Sequence, residues 1–197
     1  MSLIKEFKEQ ASTSFKVVAV LWIIFILDIL FSNLFNFHFS RFGIIPRKIS
    51  SLGGIFSAPF LHGSLYHIIS NTVPLFILLS VFLTFYKKNA AKILLIAITL
   101  VGLLTWVIGR NASHIGASGV IYFLASFLFF SGLFQKKAIS IIISILVFLF
   151  YGSMFWGIFP SLPYISWEGH LSGFLVGLFL AFMYKKQLAE NNEEQYI

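Results

Sequence analysis

The stretch His-Ile-Gly-Ala-Ser-Gly (114–119) leads into the apolar run VIYFLASFLFFSGLF (120–134), and it decides the class of fold. Residues 117–134 carry no charge. At about 1.5 Å per residue, such a helix can cross most of a bilayer core of roughly 30 Å. The stretch therefore predicts a membrane-spanning helix that is entered through a polar segment.

The composition of the whole chain points the same way. Hydrophobic residues make up 58% of the 197 residues, charged residues only 11%, and the mean hydropathy is +0.92. These values are typical of a membrane protein and exclude an ordinary soluble domain. The net charge of +7 comes from basic residues beside apolar runs, with no aromatic-interleaved basic patch, so no nucleic-acid partner is expected.

Apolar runs long enough to span a bilayer predict an all-α membrane protein with a bundle of six transmembrane helices. The predicted spans lie near 17–35, 66–86, 92–109, 117–134, 138–158 and 169–185. We expect a short cytosolic segment at 1–16, one membrane domain at 17–185 and a short cytosolic tail at 186–197. No appended soluble domain is predicted.

The distribution of basic residues predicts the orientation of the bundle. Only four of the fourteen basic residues, at positions 41, 47, 48 and 110, fall on one side of the predicted spans. The others flank the termini and the two Lys-rich loops, so the positive-inside rule places both termini in the cytosol. The expected location is the cell membrane, with the lipid bilayer as the surroundings.

Polar side chains at membrane depth are costly and are candidates for function. Asn71, Ser118 and His170 each lie roughly 22–27 Å above the lysine that ends their predicted helix, so all three share one level. His67 lies four residues before Asn71 and Tyr122 four residues after Ser118, and each pair shares a helix face. A nucleophile, a base and an amide donor at one depth are the parts of an acyl-transfer site.

Glycines near these residues favour close approach of the two helices that carry Ser118 and His170. Gly173 and Gly177 follow His170 on its own face, and small residues there would bring the sixth helix against the fourth. Gly116 would let the backbone come close to a reacting carbonyl group. The polar segment 110–117 is expected to line a cavity open to water, which hydrolysis requires.

Other catalytic classes fit the sequence poorly. Asp28 is the only aspartate, so an aspartyl protease with two carboxylates is excluded, and a structural or interfacial role is expected for it. His62 and His67 would diverge by roughly 140° on one helix, which makes a zinc pair there unfavourable; no metal and no cofactor are predicted. The other three histidines, His38, His62 and His114, are expected to be loop or rim residues, and His62 is a candidate for holding the external water cavity.

Three motifs resemble the rhomboid family of intramembrane serine proteases. The motifs are Gly116-Ala117-Ser118-Gly119, His170 with Gly173, and His67 with Asn71, supported by the stretch APFLHGSLYHIISN (58–71). The resemblance implies Ser118 as nucleophile and His170 as general base. It also implies oxyanion contacts from Asn71, His67 and the Ser118 backbone N–H, with Tyr122 stacked against the base.

The resemblance also implies a substrate class, namely transmembrane proteins cleaved in or near their membrane segments. One departure is the lack of a Trp-Arg pair in the first external loop, which some bacterial members have. Two other functions stay open: a non-catalytic rhomboid-like binding or chaperone protein, and a small transporter. Proteolytically inactive relatives lack the serine or the histidine, whereas this chain has both.

Overall fold

The computed structural model describes residues 3–160, 162 and 164–196, and these form an all-helical protein that is 82% helix. No β-strand occurs among these residues, and a single isolated β-bridge joins Ile44 to His114. The α-helices are α1 (Leu3–Phe35), α2 (Gly54–Ser57), α3 (Leu65–Phe85), α4 (Ala90–Ile108), α5 (Ser118–Gln135), α6 (Ala138–Tyr151) and α7 (Trp167–Tyr196). A 3-10 segment, Gly152–Ile158, extends α6.

The six predicted spans correspond to the long helices α1, α3, α4, α5, α6 and α7. Within the described part of the chain, five helices are long and apolar enough to cross a membrane, and α7 is not one of them. The first turn of α7 carries Glu168 and His170, whose polarity offsets the apolar residues that follow. Several large apolar side chains of α6 face outward, including Phe148 and Phe150, as expected in lipid. The chain is therefore a multi-pass membrane protein, and the exact number of spans stays a prediction.

The helix ends run beyond the predicted domain limits. Helix α1 is continuous from Leu3 to Phe35, and α7 is continuous from Trp167 to Tyr196. No break in the backbone marks residue 17 or residue 185, because a helix that leaves the bilayer keeps its own hydrogen bonds. The expected boundaries depend on where the bilayer lies and stay predictions; residues 1, 2 and 197 lie outside the described part.

Helix α5 is the central helix of the bundle. Of its 18 residues 61% are buried, whereas the most apolar 18-residue stretches of α1 and of Ala138–Ile158 have only 17% and 22% of their residues buried. Phe82 of α3 contacts Phe123 and Phe127 of α5, with ring centroids 6.1 and 5.4 Å apart, and all three rings are fully buried. This aromatic cluster holds α3 against α5 below the polar beginnings of both helices.

The segment 36–64 between α1 and α3 folds into short helical turns that are tied to the bundle by polar contacts. The Phe39 backbone N–H donates to Asp28 Oδ1 at 2.7 Å, which gives Asp28 a structural role as expected. The Arg47 guanidinium donates to the carbonyls of Val107 and Gly109 at 3.0 and 2.8 Å, and these are orphan groups at the end of α4. Segment 36–64 is thus anchored without a Trp-Arg pair within it.

Candidate active site

A cavity of about 730 Å³ lies at the end of the bundle where α3, α5 and α7 begin. It is lined by the first turns of these three helices and by the segment 110–115. Five of the six predicted site residues line it, namely Ser118, His170, Asn71, His67 and Tyr122. The sixth, Gly116, lies against the His67 ring, because a Cβ atom at this glycine would come within 2.5 Å of His67 Nε2.

Ser118 is the first residue of α5, so its backbone N–H belongs to the unpaired groups of the helix N-terminus. The chain reaches it through Gly116, whose φ of +113° is one that residues with a side chain rarely adopt. The Gly116 N–H donates to the Ala58 carbonyl at 2.9 Å, which fixes this turn against the segment 36–64. The fold therefore presents the Ser118 hydroxyl to the cavity at the positive end of a helix dipole.

The His170 imidazole is held in one orientation by two neighbours. Its Nδ1 atom lies 2.9 Å from the Gly157 carbonyl oxygen, which can only accept a hydrogen bond. In the neutral ring Nδ1 must then carry the proton, and Nε2 keeps a free lone pair. Tyr122 stacks on the ring, with centroids 4.1 Å apart and planes 7° apart, and the Tyr122 hydroxyl donates to the Met154 carbonyl at 2.8 Å.

No direct hydrogen bond joins Ser118 to His170 among the residues that the structure describes. Both side chains are half-buried and face the same cavity. Catalytic hydrogen bonds are often long before substrate binds and shorten in the complex. The serine hydroxyl and the imidazole thus face one cavity of about 730 Å³.

Asn71 and His67 lie one helical turn apart on α3 and face the turn that carries Ser118. Asn71 is 4% exposed, and its Nδ2 atom has no hydrogen-bond partner within the described structure. A Cβ atom at Gly116 would lie 3.6 Å from Asn71 Nδ2, so the amide donor points at the turn before Ser118. A buried amide donor left free beside a serine hydroxyl can stabilise negative charge on a bound carbonyl oxygen.

Comparison with known proteins identifies the family. The rhomboid domain profile matches residues 47–187. The chain belongs to the rhomboid family. An uncharacterized protein of Mycobacterium tuberculosis is similar to this chain, with 34% identity over 175 residues that cover 84% of this chain and 71% of the relative. A second uncharacterized protein, of Mycobacterium leprae, is 32% identical over 177 residues, which cover 84% of this chain and 68% of the relative.

The rhomboid domain brings α5 and α7 together along a line of glycines. A Cβ atom at Gly173 would collide with the Gly119 carbonyl oxygen, and one at Gly177 would lie 2.6 Å from the Phe123 carbonyl. Larger residues at either position would push the helices apart. The predicted close approach through Gly173 and Gly177 is therefore confirmed, and it brings the first turn of α7 beside that of α5.

A second polar cluster lies beside the cavity, and nothing in the sequence indicated it. Glu168 is only 1% exposed, and its carboxylate accepts from the Arg110 backbone N–H at 3.1 Å and lies 3.5 Å from the Arg110 guanidinium. His114 is 4% exposed and lies 2.6 Å from the Ser166 hydroxyl. It lies in the loop before α5, as expected, but it is buried there, where an isolated β-bridge joins it to Ile44.

His62 lies in the loop before α3, as expected, but it is buried and does not lie at the rim. It is 2% exposed, and its ring centroid lies 5.0 Å from that of His67. The two residues do not diverge as they would on one helix, since α3 begins only at Leu65. Burial, together with the nearby His67, lowers the pKa of His62 to about 4. The ring is therefore neutral at physiological pH.

Proposed function

We propose that this rhomboid-family protein is an intramembrane serine endopeptidase that hydrolyses peptide bonds in or near the transmembrane segments of other membrane proteins. Ser118 is the nucleophile and His170 is the general base. The observation that carries the proposal is the shared cavity, in which a serine, an imidazole with a free Nε2 and an unpaired amide donor face one space. These are the groups that acyl transfer requires.

The first half of the reaction transfers an acyl group to Ser118. Its Oγ attacks the scissile carbonyl carbon while His170 Nε2 takes the hydroxyl proton. The carbonyl π electrons move to oxygen and form a tetrahedral oxyanion. When the C–N bond breaks, the leaving amine takes the proton from His170, and the acyl group stays on Ser118 as an ester.

Water from the cavity completes the second half. His170 removes a proton from the water molecule as its oxygen attacks the ester carbonyl. The second tetrahedral oxyanion collapses, Ser118 Oγ leaves with the proton from His170, and the new carboxylic acid is released. The cavity of about 730 Å³ has room for water beside an extended peptide.

Both oxyanions need donors that are already oriented before the reaction. Asn71 Nδ2, the Ser118 backbone N–H and the His67 side chain supply them, and Gly116 leaves room for the reacting carbonyl group. Because Asn71 Nδ2 has no partner among the described residues, it gives up no protein hydrogen bond when the oxyanion forms. Such preorganised donors stabilise the transition state more than the neutral substrate.

A backbone carbonyl replaces the acid of a catalytic triad. Gly157 accepts the proton of His170 Nδ1, and Tyr122 restricts the ring from its face. The carboxylate nearest to His170 in the sequence is that of Glu168, and it forms an ion pair with Arg110. A Ser-His dyad is therefore the unit proposed, and it needs neither a metal nor another cofactor.

The proposed setting is the cell membrane, with six spanning helices, both termini in the cytosol and the cavity near the external surface. The membrane domain is assigned to residues 17–185, between a short segment at 1–16 and a tail at 186–197. Substrates are transmembrane proteins, which reach the cavity from the bilayer. Nucleic acid has no role in this proposal.

The alternative from another class is a rhomboid-like protein that binds single-span clients without cleaving them. The arrangement of His170 argues against it, because a pure binding surface needs no imidazole with a fixed tautomer beside a serine at a helix N-terminus. A small transporter would be expected to show inverted-repeat symmetry or broken helices in corresponding halves. In the described part of the chain, α1, α3, α4, α5 and α7 each run without a break.

Reconstitution in liposomes with a panel of single-span membrane proteins tests the proposal. The wild-type protein should cleave at least one substrate, and Ser118→Ala and His170→Ala should abolish cleavage while keeping the thermal midpoint. A fluorophosphonate should label the wild type and not Ser118→Ala. Cleavage that persists in Ser118→Ala would overturn the proposal, and binding without cleavage across the panel would favour the chaperone alternative.

A further inference from the structure

Two loop segments lead to the proposed catalytic pair, and side-chain contacts join them directly. The segment 110–117 precedes Ser118, and the segment 164–166 precedes α7, which carries His170 in its first turn. The glycine contact lets α5 and α7 approach closely, and the Ser126 hydroxyl of α5 donates to the Phe174 carbonyl of α7 at 2.7 Å, one turn beyond His170. The loop contacts hold the two helices together at the other end, at the level of Ser118 and His170 themselves.

An ion pair at the beginning of α7 supplies the first connection. Arg110 donates its backbone N–H to Glu168 Oε1 at 3.1 Å and places its guanidinium 3.5 Å from Oε2. The same guanidinium donates to the Ile165 carbonyl at 2.6 Å. Glu168 is almost completely buried, so its charge depends on Arg110 for compensation.

A hydrogen bond between His114 and Ser166 supplies the second connection, at 2.6 Å. His114 Nε2 lies 3.0 Å from the Arg110 carbonyl, which can only accept, so this nitrogen carries the proton of the neutral ring. His114 Nδ1 then accepts from the Ser166 hydroxyl. The two connections are linked to each other, because Arg110 contacts both Glu168 and His114.

Ser166 passes the constraint to His170. Its Oγ accepts the Gly169 N–H at 3.3 Å, and its carbonyl accepts the His170 N–H at 3.2 Å. Ser166 directly precedes Trp167, the first residue of α7, and therefore caps this helix as serine often does. The residue that binds His114 thus also holds the backbone of the proposed base.

We propose that His114 and Ser166, supported by the Arg110–Glu168 pair, are positioning residues that set the height of the His170 imidazole relative to Ser118. This inference rests on the proposed function. Tyr122 and Gly157 fix the plane and the tautomer of the ring, and the His114–Ser166 contact fixes the helix that carries it. A displacement of about 1 Å between reacting groups can cost roughly 100-fold in rate.

The test uses three variants of the full-length protein in liposomes. Ser166→Ala and Ser166→Gly both remove the hydroxyl, and glycine is well tolerated as a helix cap, so the second variant keeps the helix start. Both should lower kcat by about 10–100-fold with KM changed less than about twofold. Ser166→Thr keeps a hydroxyl and should restore kcat to within about threefold of the wild type.

The rate at which a fluorophosphonate reacts with Ser118 gives a readout without substrate docking. It should fall in Ser166→Gly by about the same factor as kcat, because both need His170 at the right height. The matched control is Ser172→Ala. Ser172 lies in the second turn of α7, is fully buried and donates to the Glu168 carbonyl at 2.7 Å, yet it makes no contact with the cavity. This variant should keep the wild-type reaction rate.

The outcomes separate this inference from the proposed function. Wild-type kcat and labelling rate in Ser166→Gly would overturn the positioning role while Ser118→Ala still abolishes cleavage. A raised KM with unchanged kcat would also overturn it and would assign Ser166 to substrate binding. Equal loss of rate in Ser172→Ala would mean a general effect of helix stability, which contradicts the inference as well. Persistent cleavage in Ser118→Ala would instead refute the proposed function.

Discussion

The replacement Asn71→Ala tests whether α3 belongs to the catalytic site. Amide hydrolysis builds negative charge on the carbonyl oxygen, and Asn71 Nδ2 is the side-chain donor left without a partner beside Gly116. Removing one such donor costs roughly 10²–10³ in kcat, or about 3–4 kcal/mol of transition-state stabilisation. KM should change little, because the neutral carbonyl of the bound substrate gains less from this donor.

The structure also predicts how Asn71→Ala affects stability. Asn71 Nδ2 makes no hydrogen bond to the described part of the protein, so its removal breaks no hydrogen bond there. Removing a buried donor without a partner is close to neutral, apart from the lost packing of the side chain. The thermal midpoint in detergent should therefore stay near that of the wild type.

Thr72→Ala is the matched control at the next position of the same helix. Thr72 Oγ1 accepts from Trp22 Nε1 at 3.0 Å and donates to the Ile68 carbonyl at 2.8 Å, so it joins α3 to α1. Its loss should lower the free energy of unfolding by about 1 kcal/mol and leave kcat unchanged. Asn71→Ala should thus lower kcat without loss of stability, and Thr72→Ala should lower stability without loss of kcat.

The assay measures kcat and KM in liposomes with a fluorogenic transmembrane substrate, together with thermal unfolding in detergent. A folded Asn71→Ala protein with wild-type kcat would refute the role of Asn71. The Ser118 backbone N–H and His67 would then be the remaining oxyanion donors. Equal loss of kcat in Thr72→Ala would show that α3 acts through packing alone.

Three further predictions concern helix packing, pH and metals. Gly173→Ala should destabilise the protein by about 1–3 kcal/mol and lower kcat more than about 10-fold, since its Cβ collides with the Gly119 carbonyl. Gly53→Ala, with nothing within 4 Å of its Cβ, should have neither effect in the same unfolding and cleavage assays. The folded protein favours the neutral form of His62. Its contribution to the free energy of unfolding should therefore be complete above pH 6.5 and decline as the pH falls towards 4. Relative to His62→Phe, the wild type should lose up to about 3 kcal/mol of stability over that range, and parallel pH curves of the two would contradict this. Chelators should leave the cleavage rate unchanged, and inhibition that zinc reverses would count against the dyad.

The amino-acid sequence by itself determined the class of protein and the places of its helices. Long uncharged apolar runs have one stable solution in a bilayer, the helix with its backbone bonds satisfied internally, so the long helices fall close to the predicted spans. Helical spacing also placed Asn71 with His67 and Ser118 with Tyr122 before any tertiary contact was known. These features depend on neighbours along the chain, which a sequence displays directly.

Only the tertiary structure decided how the site is held together. The partner of His170 Nδ1 is the Gly157 backbone carbonyl. Because every residue has a backbone carbonyl, the residue types in the sequence could not indicate which one His170 contacts. Arg110 and Glu168 are 58 positions apart, and the sequence shows them only as two ordinary charges near helix ends. The sequence indicates that His114 and His62 are loop residues, but it does not show that they are buried, because burial depends on what folds over the loop. Contacts between distant segments are set by the packing of α5 against α7, and that packing exists only once the whole chain has folded.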